Sequence, residues 1–106
     1  NIHNLKFDEN MIKKLNHMFD LLDNGFNVMT ENLKLGYTKL NNISNAQDAE
    51  ESINEHRNNL KEEHLLNLEN NVYNYLTGVY YIDLINECEH VGDFMINISE
   101  AIMEIK

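Results

Sequence analysis

The sequence predicts an all-α fold, an antiparallel three-helix up-down-up bundle with long helices, formed by residues 1–106 as a single domain. Three observations predict it. The 106 residues include no proline and four glycines, which favours long uninterrupted helices over strands and tight turns. Apolar residues recur at steps of three and four through three separate runs. Two short Asn-rich segments, 41–44 and 67–74, separate those runs.

Residues 1–7 form a lead-in in which Leu5 and Phe7 are expected to fold down as a flap. Asp8 or Asn10 is placed to cap the first helix. From there Met11, Leu15, Met18 or Phe19, Leu22, Phe26, Met29, Leu33, Tyr37 and Leu40 trace one apolar line. Gly25 and Gly36 interrupt it, each costing about 1 kcal/mol against Ala. They mark a bend or a close helix approach.

The first turn is Asn41-Asn42-Ile43-Ser44, and Ser44 with Gln47 reads as a capping box opening the second helix. The second line is thin: Ala46, Ala49, Ile53, Leu60 and Leu68, with Arg57 and His64 between. Its small residues permit close approach. In the second turn Asn70 or Asn71 is expected to cap the third helix. That helix begins with Tyr73, Tyr75, Tyr80 and Tyr81 and runs about thirty residues, or about 45 Å. Asn makes up about one residue in six, so the helices depend on packing rather than propensity.

Composition narrows the function. A formal net charge of −10 opposes binding to a phosphate backbone and adhesion to anionic lipid, so no nucleic-acid partner is expected. No stretch is apolar enough to span a bilayer, so no membrane insertion of this segment is expected. Cys88, the single cysteine, falls on the third apolar line and reads as a small buried hydrophobe, consistent with a reducing compartment. The chain opens on Asn1 without a methionine, which fits either a piece cut from a longer protein or a processed chain.

The third helix carries two stripes. Leu84, Cys88, Val91, Met95, Ile98 and Ile102 define the apolar one. Asn86, Glu89, Asp93, Asn97 and Glu100 fall on the opposite face. Glu89 and Asp93 lie one turn apart, about 6 Å between Cβ atoms. Such a pair reads either as a solvated face or as half of a metal site, since carboxylate oxygens suit hard cations. On the second helix Glu50 and Asn54 have the same spacing. Glu87 and His90 form one Glu-x-x-His, where di-iron bundles need two such motifs on four helices. The five histidines show no zinc-protease spacing, and no His is followed by a Lys-Gly element of the histidine phosphotransfer kind. No nucleophile–base pair or glycine-rich phosphate loop is visible, so no catalysis is expected.

The run Glu89-His90-Val91-Gly92-Asp93, followed by Asn97-Ile98 and Glu100-Ala101, resembles the E-R-I-G-D…N-I-A-E signature of PhoU-type phosphate regulators. Tyr81-Ile82-Asp83-Leu84-Ile85-Asn86 is similar to that family's aromatic-L-D-L-L segment. Ala49-Glu50-Glu51-Ser52-Ile53-Asn54, with Arg57, Leu60 and His64, resembles its second-helix E-E-x-I-D/N motif. The likeness covers about residues 10 to 105. The branch it resembles most is the PhoU-like domain attached to bacterial sodium/phosphate cotransporters.

The resemblance implies a PhoU-like (spectrin-like) three-helix unit and a regulatory role in phosphate uptake. It implies the cytoplasmic domain of an inner-membrane protein, with the transmembrane part of the same transporter chain as partner. It further implies divalent or ferric metal ions held by Glu50, Asn54, Glu89 and Asp93. Asn54 departs from the family's usual Asp, and His90 from its usual Arg. One unit supplies half of the family's tandem arrangement, so a homo-oligomer is expected to complete it. The competing reading is a free-standing acidic helical interaction module without metal.

Overall fold

The computed structural model describes residues 6–105 and forms three helices: α1 (Glu9–Lys39), α2 (Ser44–Glu69) and α3 (Tyr75–Ile105). All three pack on one another, and the bundle measures 53 × 25 × 19 Å. Cross-helix contacts give the directions. Lys14 pairs with Glu63, His17 meets His56, and Asn32 bonds Asn45, so α2 runs antiparallel to α1. Phe7 meets Tyr81, Gly25 meets Met95, and Asn32 bonds Ser99, so α1 and α3 run parallel with an offset of about seventy residues. The expected up-down-up bundle is the observed one.

The helix ends are set by local chemistry. Asp8 is the N-cap of α1, its carboxylate accepting from the Met11 amide at 2.8 Å. Of the expected flap, Phe7 packs edge-on against Tyr81 at 5.9 Å, while Leu5 lies outside the described residues. Gly36 bends the last turn of α1, with φ at +67°, a conformation glycine adopts without strain. Its carbonyl accepts from the Leu40 amide.

The expected capping box at Ser44 does not form. Asn42 takes that role: its side-chain oxygen accepts from the Ser44 amide at 3.1 Å and from the Ser44 hydroxyl at 2.8 Å. Nor do Asn70 and Asn71 cap α3, because both are used to end α2. Asn71 adopts the left-handed conformation at φ 55°. The Asn71 and Val72 amides then bond the carbonyls of Leu68 and Asn67, which closes a Schellman motif. Asn74 caps α3 instead, accepting from the Thr77 amide at 2.8 Å.

The core is a line of Met11, Leu15, Met18 and Met29 from α1, Ile53 and Leu60 from α2, and Tyr81, Ile85, Cys88 and Met95 from α3. Two helices present a different face from the one their largest apolar residues trace. In α1 the buried line passes through Gly25 and Asn32, while Phe26 is 57% exposed and Leu33 is also exposed. In α3 it passes through Ile85, Cys88, Gly92, Met95 and Ser99, and Val91 is exposed. At 100° per residue this turns α3 by roughly 60° from the expected orientation. The cause is close packing. A methyl group on Gly25 would lie 2.9 Å from the Met95 terminal carbon, and one on Gly92 would lie 3.3 Å from Ile53. Small residues bring the backbones together at the cost of leaving larger hydrophobes outside.

One polar cluster sits inside. Asn32 is fully buried and donates to Ser99 Oγ at 3.1 Å and Asn45 Oδ1 at 3.2 Å. Asn45 donates back to Asn32 Oδ1 at 3.1 Å. The cluster links all three helices at one level, and every slip of register would break it.

Candidate functional site

The four residues singled out in the sequence occupy the seam between α2 and α3. Ala46 and Ala49 are buried on α2, and Gly92 faces Ile53 from α3. This close approach, with the rotation of α3, carries Glu89 and Asp93 away from open solvent. Both are half-buried against α2, whereas they were expected on the face opposite the core.

The seam sorts them into three environments. Glu50 on α2 faces Asp93 on α3 across the seam. Its carboxyl is held above the usual carboxylate range, first by burial, then by the Asp93 charge and the shared hydrogen bond, and further by Glu100 and Glu89. Asn54 stands one turn further along α2, and its Oδ1 is buried with no hydrogen-bond partner among the described residues. Glu89 is engaged by the Arg57 guanidinium from α2. Arg57 thus supplies from the neighbouring helix a fixed positive charge that His90 does not supply; His90 points outward, 4.0 Å from an exposed Glu87.

The arrangement limits the chemistry. A buried amide oxygen without a donor costs about 1–3 kcal/mol, and two carboxyls sharing a hydrogen bond require a proton or a cation between them. Glu50, Asp93 and the Asn54 oxygen one turn along α2 are oxygen donors of the kind a hard cation takes. Among the described residues no group of three or more His, Cys, Asp or Glu is gathered at one point. The cavity beside Glu50, lined by Gly25, Ala49, Ile53 and Gly92, has a volume of about 10 Å³, space for at most one water. It does not admit an organic substrate.

Three further titratable groups are shifted by burial within the bundle. His64 is buried, its Nδ1 is 2.6 Å from the Tyr73 hydroxyl, and burial lowers its pKa. His56 donates from Nε2 to the Lys14 carbonyl at 3.1 Å, and burial lowers its pKa as well. Cys88 is a buried free thiol whose pKa is pushed up by burial and by Glu87.

No helix of the described residues is long and apolar enough to cross a membrane. Comparison with known family models, curated proteins and solved structures finds no match to the chain.

Motif spacing and the family resemblance singled out Glu50, Asn54, Glu89 and Asp93, and the fold brings them to one seam. Sequence reasoning missed the Asn32–Asn45–Ser99 cluster, since Asn is spread through the whole chain and nothing distinguishes Asn32. The signal was there in one respect: Asn32 lies seven residues after Gly25, and Ser99 seven after Gly92, so each continues a line of small residues.

Proposed function

We propose that the chain is a non-catalytic regulatory domain of the PhoU-like kind, belonging to a sodium-dependent phosphate transporter and answering to charge at the α2–α3 seam. What supports this reading is the seam itself: Glu50 on α2 faces Asp93 on α3 closely enough that, after burial, the Asp93 charge raises its pKa, and Asn54, one turn along α2, has a buried oxygen without a partner among the described residues. The residues that make it are those of the two motifs read in the sequence. A bound hard cation would supply charge compensation there. The chain's own part is to set Glu50 and Asp93 on facing sides of the seam, bury the Asn54 oxygen one turn along α2, and keep Glu89 occupied by Arg57. Adding or removing positive charge then changes how tightly α2 and α3 close, which is a regulatory output that needs no reaction.

Two experiments test the two parts. Thermal melts with Mg²⁺, Mn²⁺ and ferric citrate should show a midpoint that rises with cation for the native sequence and stays fixed for Glu50→Gln/Asp93→Asn. Equal shifts in both proteins would remove the seam from the account. The coding sequence upstream of Asn1 should encode several spanning segments, and its failure to do so would remove the transporter.

A further inference from the structure

The outer groove between α1 and α3 is lined by apolar side chains that the bundle leaves uncovered. On α1, Ile12, Phe19, Phe26 and Leu33 recur every seven residues and are all exposed. On α3, Val91 and Phe94 are exposed, the latter at 65%. Leu84 and Ile98, seven residues before and after Val91, are half-buried against the core and floor the groove. The two lines border the same groove. Lys14 and His17 mark the edge of α1 turned to α2, and Glu89 and Asp93 mark that edge of α3, so the apolar lines occupy the other flank of each helix. They also share a register. The offset of about seventy residues sets Ile12 level with Leu84, Phe19 with Val91, and Phe26 with Phe94 and Ile98. Parallel helices with level apolar residues at heptad spacing present the holes into which a further helix seats its knobs.

Size and charge select the occupant. The six exposed side chains carry on the order of 200 Å² each and are about half exposed, giving about 600 Å² of apolar surface. That is the upper end for a monomer and below the ~800 Å² per partner of a standard stable interface. The α1 line is about 30 Å long, the span of a helix of about twenty residues. Two exposed acids interrupt the lines: Asp23 between Phe19 and Phe26, and Glu87 between Leu84 and Val91. Lys34 borders the groove at its far end only. A second copy would set acid against acid and join two bodies of charge −10.

We infer that the α1–α3 groove is a docking site for an amphipathic helix of about twenty residues, with an apolar heptad line flanked by Lys or Arg, which completes a four-helix bundle. The inference does not rest on the α2–α3 seam, which lies on the other side of α3.

The test uses three synthetic 21-residue peptides, each with one central Trp; the chain has none, so Trp emission reports the peptide alone. The first has Leu at heptad positions a and d and Lys at e and g. The second replaces Lys by Glu. The third has the composition of the first with the heptad broken. The first should bind at least tenfold more tightly than either other peptide. Phe26→Asp, checked for unchanged helicity, should weaken it at least tenfold. Asp23→Lys/Glu87→Lys, both at exposed sites, should shift preference toward the Glu peptide. Equal binding of the first and third peptides would reduce the effect to general charge attraction and overturn the inference. So would absence of binding, or sedimentation showing a dimer that Phe26→Asp dissociates, since a second copy would then cover the groove.

Discussion

Replacing Asn32 by Ala should be among the most damaging single changes on α1, although the residue is polar. Its side chain is fully buried and takes part in three hydrogen bonds, at 3.1, 3.2 and 3.1 Å. Each is worth about 1 kcal/mol net. Asn45 is exposed and recovers part of its loss from water, whereas Ser99 is fully buried and does not. The truncation also leaves a void of three heavy atoms. Together these give a loss of about 2–3 kcal/mol, or a midpoint lower by roughly 10 °C in a domain of this size. Urea denaturation followed by circular dichroism measures it. Asn97→Ala, on the exposed side of α3, is the control and should change stability by less than about 0.5 kcal/mol. Combining Asn32→Ala with Ser99→Ala should cost less than the sum of the single changes, by about 1 kcal/mol. If Asn32→Ala and Asn97→Ala are indistinguishable, the buried cluster does not hold the register.

Three further expectations follow from the same geometry. Cys88 should resist a thiol reagent in the native protein and react on unfolding, and Cys88→Asp should cost roughly 3–5 kcal/mol by burying an unpaired charge; rapid native labelling would show a different face of α3. His56 and His64 are held neutral by burial, so the unfolded chain binds more protons below roughly pH 6.5. Their contribution to stability is present above that pH and is lost as pH falls through it; His56→Gln should flatten this acid limb in pH-dependent melts, and an unchanged limb would contradict it. Glu50 runs the other way: its raised pKa makes ionisation a burden that develops as pH climbs above the usual carboxylate range. Glu50→Gln should therefore stabilise the protein at pH 7 in the absence of added cation and make little difference near pH 4, whereas a destabilised variant at pH 7 would count against the shared hydrogen bond with Asp93.

Architecture was legible in the sequence because it depends on features that periodicity reports: three apolar runs, no proline, and turns rich in Asn. The helix faces were less so, and for one reason. Hydrophobic patterning finds the side of a helix with the largest apolar residues, and in α1 and α3 that side is shared between the core and the outer groove. Gly25, Asn32, Gly92 and Ser99 take core positions because close helix contact needs small groups or a satisfied polar one. Phe26, Leu33, Val91 and Phe94 are displaced outward. The rotation that hid the core from patterning is the same one that brings Asp93 to Glu50. The carboxylate pairs within each helix were legible from spacing, but the meeting of Glu50 with Asp93, Arg57 on Glu89 and the unpartnered Asn54 oxygen were not, because all three depend on the distance between helices.

In the proposed function Glu50, Asn54 and Asp93 share one charge-compensated site. The most direct measurement is amide NMR of the 106-residue chain with substoichiometric Mn²⁺, whose unpaired electrons broaden nearby signals. Broadening confined to residues around Glu50, Asn54 and Asp93, and abolished in Glu50→Gln/Asp93→Asn, is the predicted result. Broadening spread over exposed acids such as Glu62 and Glu69, and unchanged in the double variant, would contradict it.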